Sequence, residues 1–156
     1  SRGRLCHKDP NLFLMDFSEP EGDVVVADGE DLWIYYPSMD PKQVFRRPLS
    51  EGGGRFDFHR EFLSDPGTKY APEYVESEVL DGHPVHVLRL VPRKASAYEE
   101  ARVWIDAERH LIRKVVITEE NDSVREVVLS GLEVEPELRP EAFQFTPPEG
   151  ATVIQR

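Results

Sequence analysis

Apolar residues recur along the chain in short runs of β-favouring positions, bounded by Gly, Pro, Asp and Asn. The runs predict strands at residues 4–8, 12–17, 24–28, 32–36 and 43–46. After an interruption they resume at 74–79, 85–91, 98–106, 111–118 and 124–133. The connectors are turn-like: Asp28-Gly29-Glu30-Asp31, Asp81-Gly82-His83-Pro84, residues 107–110 and residues 119–122. Successive strands joined by short turns pair antiparallel, because a parallel pair needs a long crossover. The chain therefore reads as mainly β.

Several runs do not alternate. Val24-Val25-Val26, Leu32-Trp33-Ile34-Tyr35-Tyr36 and Val115-Val116-Ile117 are apolar at consecutive positions. A sheet with one wet face alternates, so these strands predict cover on both faces, a barrel wall, or an exposed apolar patch. One stretch breaks the strand rhythm. Phe58, Phe62 and Leu63 stand at helical spacing with Phe56 and His59 beside them, after Gly52-Gly53-Gly54 and before Ser64-Asp65-Pro66-Gly67. That pattern predicts a short amphipathic helix over 56–63, with a glycine hinge before it and a Pro-Gly stop after it. A strand over 55–59 is the competing reading. Residues 140–143 predict a single helical turn ahead of Gln144-Phe145-Thr146.

Composition narrows the possible functions. A length of 156 residues, 39% of them hydrophobic, suits one packed domain. Thirty acidic residues against 19 basic ones leave a net charge of −11. That balance argues against nucleic acid, whose phosphates need a basic surface, and against resting on an anionic lipid surface. The one cysteine, Cys6, excludes an intrachain disulfide and a cysteine-only zinc site. No run approaches the roughly 20 apolar residues of a membrane helix.

The candidate chemistry does not assemble. His83 and His86 have an HxxH spacing, yet strand positions three apart face opposite ways. Asp57, His59 and Glu61 would spread around a helix. Cys6 and His7 are strand neighbours whose side chains diverge, so the imidazole cannot activate the thiol, and Cys6 reads as a small buried apolar residue. Asp106, Glu108 and His110 fall in a hairpin turn. No G-x-S-x-G, H-E-x-x-H or dinucleotide fingerprint is present. The expectation is a binding protein with no catalytic residues, no metal and no cofactor.

Three stretches carry a resemblance. The first is Gly3-Arg4-Leu5 with Lys8-Asp9-Pro10-Asn11-Leu12-Phe13. The second is Val26-Ala27-Asp28-Gly29, Leu32-Trp33-Ile34-Tyr35-Tyr36-Pro37 and Gln43-Val44. The third is Phe143-Gln144-Phe145-Thr146-Pro147-Pro148-Glu149-Gly150-Ala151-Thr152-Val153. In this order they resemble the periplasmic outer-membrane lipoprotein carrier family, the LolA-like proteins. Leu90-Val91-Pro92-Arg93 and Val103-Trp104-Ile105-Asp106 match weaker features between them.

The resemblance implies an incomplete antiparallel β-barrel, a curled sheet with a helical lid over an apolar cavity. It implies a single domain over 1–156 without the family's N-terminal helix and first strand. The implied role is that of a soluble periplasmic carrier of acylated lipoproteins or related lipids. Such a carrier works between an inner-membrane donor and an outer-membrane receptor and touches membranes only transiently. An acyl chain needs such a container, since each CH₂ buried is worth about 0.8 kcal/mol. On this reading Phe13, Met15, Trp33, Tyr35 and Phe45 form the cavity wall, and Phe58, Phe62 and Leu63 form the lid. A family arginine that latches the lid is replaced by Asp9, which when ionised cannot donate a hydrogen bond, so Lys8 or Arg4 would have to substitute. Two alternatives stay open: a lipid- or lipoprotein-sensing module of the same fold, like the RseB type, and an envelope module whose cavity is filled by side chains.

Overall fold

The structure is a computed structural model that describes residues 1–8, 10–51, 58–63, 65–96, 98–133 and 137–155, with the side chains of 51 and 58–60 set aside. In chain order the strands begin with β1 (Arg2–Lys8), β2 (Leu12–Glu19), β3 (Glu21–Asp28), β4 (Asp31–Tyr35) and β5 (Gln43–Pro48). Helices α1 (Phe58–Leu63) and α2 (Pro66–Lys69) follow. Then come β6 (Tyr70–Leu80), β7 (His83–Pro92), β8 (Tyr98–Asp106), β9 (Ile112–Glu119) and β10 (Val124–Val128). A 3-10 turn (Pro140–Phe143) and β11 (Thr152–Gln155) complete the chain. The chain divides into two compact units: Ser1–Asp57 with Glu135–Arg156, and Phe58–Val134.

The first unit holds a six-stranded sheet in the order β1-β2-β3-β4-β5-β11, and the second a five-stranded sheet in the order β10-β9-β8-β7-β6. Short hairpins make both antiparallel, except that β11 returns parallel to β5. The mainly β, antiparallel architecture matches the sequence pattern, but the strands do not form one continuous curled sheet. The edge of β5, from which such a sheet would continue into β6, is occupied by β11. That four-residue strand escapes the pattern because Thr152-Val153-Ile154-Gln155 is too short to show a period.

In the first unit the register sets the faces. The β3–β4 turn places Ala27 opposite Leu32 and Val25 opposite Ile34, so these four share a face. The turn takes its shape from Gly29, whose φ of +104° only glycine adopts without strain, and from the Asp28 carboxylate, which accepts the Glu30 and Asp31 backbone N–H groups. Phe13, Val25, Ala27, Leu32 and Leu49 form a buried cluster, with Leu5, Met15, Phe17, Ile34 and Tyr36 half-buried against it. Gly3 is needed for space: a Cβ there would lie 2.3 Å from the Asp16 carbonyl oxygen, at the β1–β2 irregularity.

The opposite face is also apolar, with Val26 and Val44 fully buried. The C-terminal segment of the same unit covers it. The turn Pro140–Phe143 packs on β2 and β3, Phe143 is wholly buried, and the Phe145 ring meets Trp33 and Tyr35. The consecutive apolar positions of β3 and β4 are thereby explained.

In the second unit Leu90, Ala101, Val103, Val115 and Ile117 are buried, and α1 packs against β9. The intervening positions carry charge: Arg89 bridges Glu100 and Glu73, and Lys114 meets Glu126 and lies over the Trp104 ring. Val115 and Ile117 are buried and Val116 between them is half-buried, so the second face of this strand is covered in part. β6 begins at Tyr70, four residues before its expected start, because Tyr70-Ala71-Pro72-Glu73 shows no apolar alternation and includes a proline. β10 ends at Val128, five residues short of expectation. The helix predicted over 56–63 is present from Phe58; Phe56, Asp57 and the Gly52–Gly54 hinge lie outside the described residues. Its Pro-Gly stop starts a second short helix, since proline suits a first helical turn.

Candidate functional site

The expected cavity wall divides between the two faces of the six-stranded sheet. Phe13 pairs with Ala27, Met15 with Val25, and Phe45 with Ile34, so these three side chains share the face of the buried cluster. Leu5 and Tyr36 extend it, and Phe17 meets Tyr36 edge-on with ring centroids 6.3 Å apart. Phe13 is 2% exposed, while Met15 and Phe45 are half-buried.

Trp33 and Tyr35 point the other way. Their strand partners are Val26 and Val24, and their rings lie 5.7 and 5.8 Å from Phe145. The five residues therefore make no single wall. The sequence carried the signal for this split: a turn pairing Ala27 with Leu32 fixes the parity of every position on both strands. Arg46 stands over Trp33, 5.0 Å from the ring centroid, and forms an ion pair with Asp31.

Around Trp33 the polar groups are tightly matched. The indole N–H donates to Asp28 Oδ2 at 2.8 Å, and Oδ1 accepts the Asp31 N–H at 2.8 Å and the Glu30 N–H at 3.0 Å. Partial burial pushes the Asp28 carboxyl up, but these three hydrogen bonds and nearby Arg46 outweigh it and hold the group below its ordinary value. An open groove of about 590 Å³ lies here, lined by Asn11, Asp28, Glu30, Gln144 and Phe145 among others. Its carboxylates and amides suit water better than hydrocarbon, so it is not the apolar container that the resemblance implies.

Of the expected lid residues, Phe62 is buried against Tyr70 and Tyr98 at 5.6 and 6.5 Å, and Leu63 is half-buried. The Phe58 side chain lies outside the described residues. Tyr70 donates to Glu61, and burial together with that carboxylate pushes the phenol far up. Asp9 also lies outside the described residues. Its neighbour Lys8 donates to the Leu138 carbonyl at 2.9 Å, while Arg4 stands 4.0 Å from Asp16 on an exposed edge.

The other candidates are structural in their contacts. His83 and His86 are exposed, and His86 Nδ1 lies 3.0 Å from Ser77 Oγ. Cys6 is half-buried opposite Leu14, less enclosed than expected because β1 is an edge strand. Asp106, read from the sequence as an ordinary turn acid, is buried with Arg113 at 2.7 Å and accepts the Glu108 and Arg109 N–H groups. The Arg109 N–H and then the Arg113 guanidinium lower its pKa to about 2. Among the described residues no group of three or more His, Cys, Asp and Glu is placed to hold a metal ion, and no helix is long and apolar enough to cross a membrane.

These features define a β-sheet protein with one apolar face covered by its own C-terminus and a cluster of large apolar side chains on the other. The model of the outer membrane lipoprotein carrier protein LolA matches residues 1–146, and the chain belongs to this family. It is 26% identical to an outer-membrane lipoprotein carrier protein of Nitrosomonas europaea, over 98% of this chain and 72% of that one. Identity to the protein of the same name from Alkalilimnicola ehrlichii is 30%, over 99% of this chain and 68% of that one. Among solved structures, an uncharacterized conserved protein from Thermus thermophilus shares the fold with a TM-score of 0.61 at 14% identity, covering 93% of this chain and 75% of that one. A chain in the complex of the CwlD amidase with the GerS lipoprotein from Clostridioides difficile gives 0.54 at 12% identity, covering 83% of this chain and 72% of that one.

Proposed function

We propose that the chain is a soluble periplasmic carrier that takes the acyl chains of lipoproteins or related lipids onto the Phe13 face of the six-stranded sheet and moves them between membranes. One observation carries this reading. In a protein of the lipoprotein-carrier family, Phe13, Met15, Phe45, Leu5 and Tyr36 present large apolar side chains on one face, while the C-terminal segment occupies the other. Transfer requires a donor at the inner membrane, a receptor at the outer membrane, and a face that gives its cargo up again. Helix α1 is proposed as the lid, with Phe58, Phe62 and Leu63 as its apolar residues. Phe62 packs on Tyr70 and Tyr98, so movement of such a lid breaks those ring contacts or carries them along.

The test is retention of a synthetic triacylated lipopeptide through gel filtration, followed by native mass spectrometry. Met15→Glu should weaken binding more than a hundredfold. A charge there excludes about four methylenes at about 0.8 kcal/mol each, or about 3 kcal/mol. Tyr35→Glu, on the covered face, should leave binding within about threefold of the native protein. Failure of the native chain to retain the lipopeptide, or equal binding by Met15→Glu, overturns the proposal.

A further inference from the structure

Two consecutive arginines of β5 face opposite ways and have opposite fates. Arg46 is on the C-terminal side of the sheet, where Nε and Nη2 both donate to Asp31 Oδ2 and the guanidinium covers Trp33. Arg47 pairs across the strands with Leu32, a member of the buried cluster, and therefore stands on the Phe13 face. Its described neighbours in register and along β5 on that face are apolar: Leu32 is 1% exposed, Leu49 8%, and Phe45 is the next residue of β5 there. Arg47 Nε is buried and has no hydrogen-bond partner among the described residues. The guanidinium cation carries donors and no acceptor, and a buried donor without an acceptor is costly to maintain. An apolar face with one such cation is complementary to an amphiphile whose hydrocarbon ends in an anion.

We propose that Arg47 is the headgroup anchor of the Phe13 face, and that the preferred ligand is an acyl chain ending in an anionic pair of oxygens, a carboxylate or a phosphate. The guanidinium edge donates parallel N–H···O bonds to such a pair, which a neutral ester or alcohol cannot reproduce. This rests on the reading of that face as the acyl site and adds a selectivity to it: an anionic lipid is held better than a neutral one of equal chain length.

The test measures binding of oleate and of oleyl alcohol, both below their aggregation limits, to the full chain and to its Arg47→Met and Arg47→Gln variants. A second pair, dioleoylphosphatidylglycerol and dioleoylglycerol, distinguishes phosphate from carboxylate as the natural head. The native chain should prefer the anionic member of at least one pair by about tenfold or more. Either variant should reduce that preference to within about twofold while keeping its affinity for the neutral member, which serves as its folding control. A native chain that binds both members of each pair equally, or variants that keep the preference, overturns the anchor and leaves the acyl face standing. Absence of binding by all four lipids overturns the acyl face, and the anchor with it.

Discussion

Asp28 joins the β3–β4 turn to Trp33, and replacing it by asparagine separates charge from shape. The amide oxygen can keep the place of Oδ1 and still accept the Glu30 and Asp31 N–H groups. The amide nitrogen then takes the place of Oδ2 and turns a donor toward the Trp33 indole N–H, which now donates at 2.8 Å. A hydrogen bond to a charged acceptor is worth about 1.5–3 kcal/mol; partial exposure lets water replace some of it, so a loss of about 1–2 kcal/mol is expected at neutral pH. For a chain of this size that lowers the melting temperature by about 2–8 °C.

The pH dependence has a definite sign. Because the folded carboxyl titrates below its ordinary value of 3.8, its contribution is present above that value and is lost as pH falls through the lower folded one. The native and Asp28→Asn curves should therefore be separated at pH 7 and converge as pH is taken below about 4. Thermal unfolding followed by Trp33 fluorescence, in a Trp104→Phe background, isolates the site from the chain's other tryptophan. A separation that does not change with pH, or none at pH 7, refutes the assignment of charge-assisted bonding to Asp28.

Asp106→Asn should open the β8–β9 turn, speeding hydrogen exchange at the Glu108 and Arg109 amides on the order of tenfold at pH 7. The difference should persist down to about pH 3 and fade as pH falls through about 2, the value at which this carboxyl titrates in the folded chain. Phe143→Ala, at a wholly buried position, should cost about 3–5 kcal/mol in urea unfolding. Loss of less than about 1 kcal/mol would show that the C-terminal turn does not hold the sheet face it covers.

The strands were legible wherever an apolar period was bounded by turn residues. Tyr98–Asp106 has the expected limits, and Leu12, Gln43 and Val124 start their strands as expected. The helical spacing of Phe58, Phe62 and Leu63 and the turn at 140–143 were also readable. Partnership beyond a hairpin was not. Nothing local in Thr152-Val153-Ile154-Gln155 says that it will lie beside β5, and that pairing ends the first sheet. For the candidate site, aromatic and aliphatic residues on β2, β4 and β5 marked the apolar positions of the sheet, but assigning Trp33 and Tyr35 to the same wall as Phe13 ignored the parity set by the turn at Gly29. Asp106 was missed because an aspartate in a turn carries no mark of burial, and its partner Arg113 lies seven residues on across the hairpin.

The two-faced apolarity of the sheet bears on which contacts can regulate it. Phe143 and Phe145, which carry part of the family resemblance, close the Trp33 face from within the same unit. The Lys8 side chain reaches the carbonyl of Leu138 in that same C-terminal segment. Lys8 pairs with Leu12, one position out of step with Phe13, so its side chain is on the covered face. It therefore ties down the segment that covers Trp33 and Tyr35, on the sheet face opposite Phe13. Arg4 has the same parity as Lys8 and lies beside Asp16. Among the described residues of this unit, Arg47 on β5 stands on the Phe13 face with a buried Nε that has no hydrogen-bond partner. If Arg47 is the headgroup anchor proposed above, any other acceptor brought to its buried Nε competes with the ligand for the same donor.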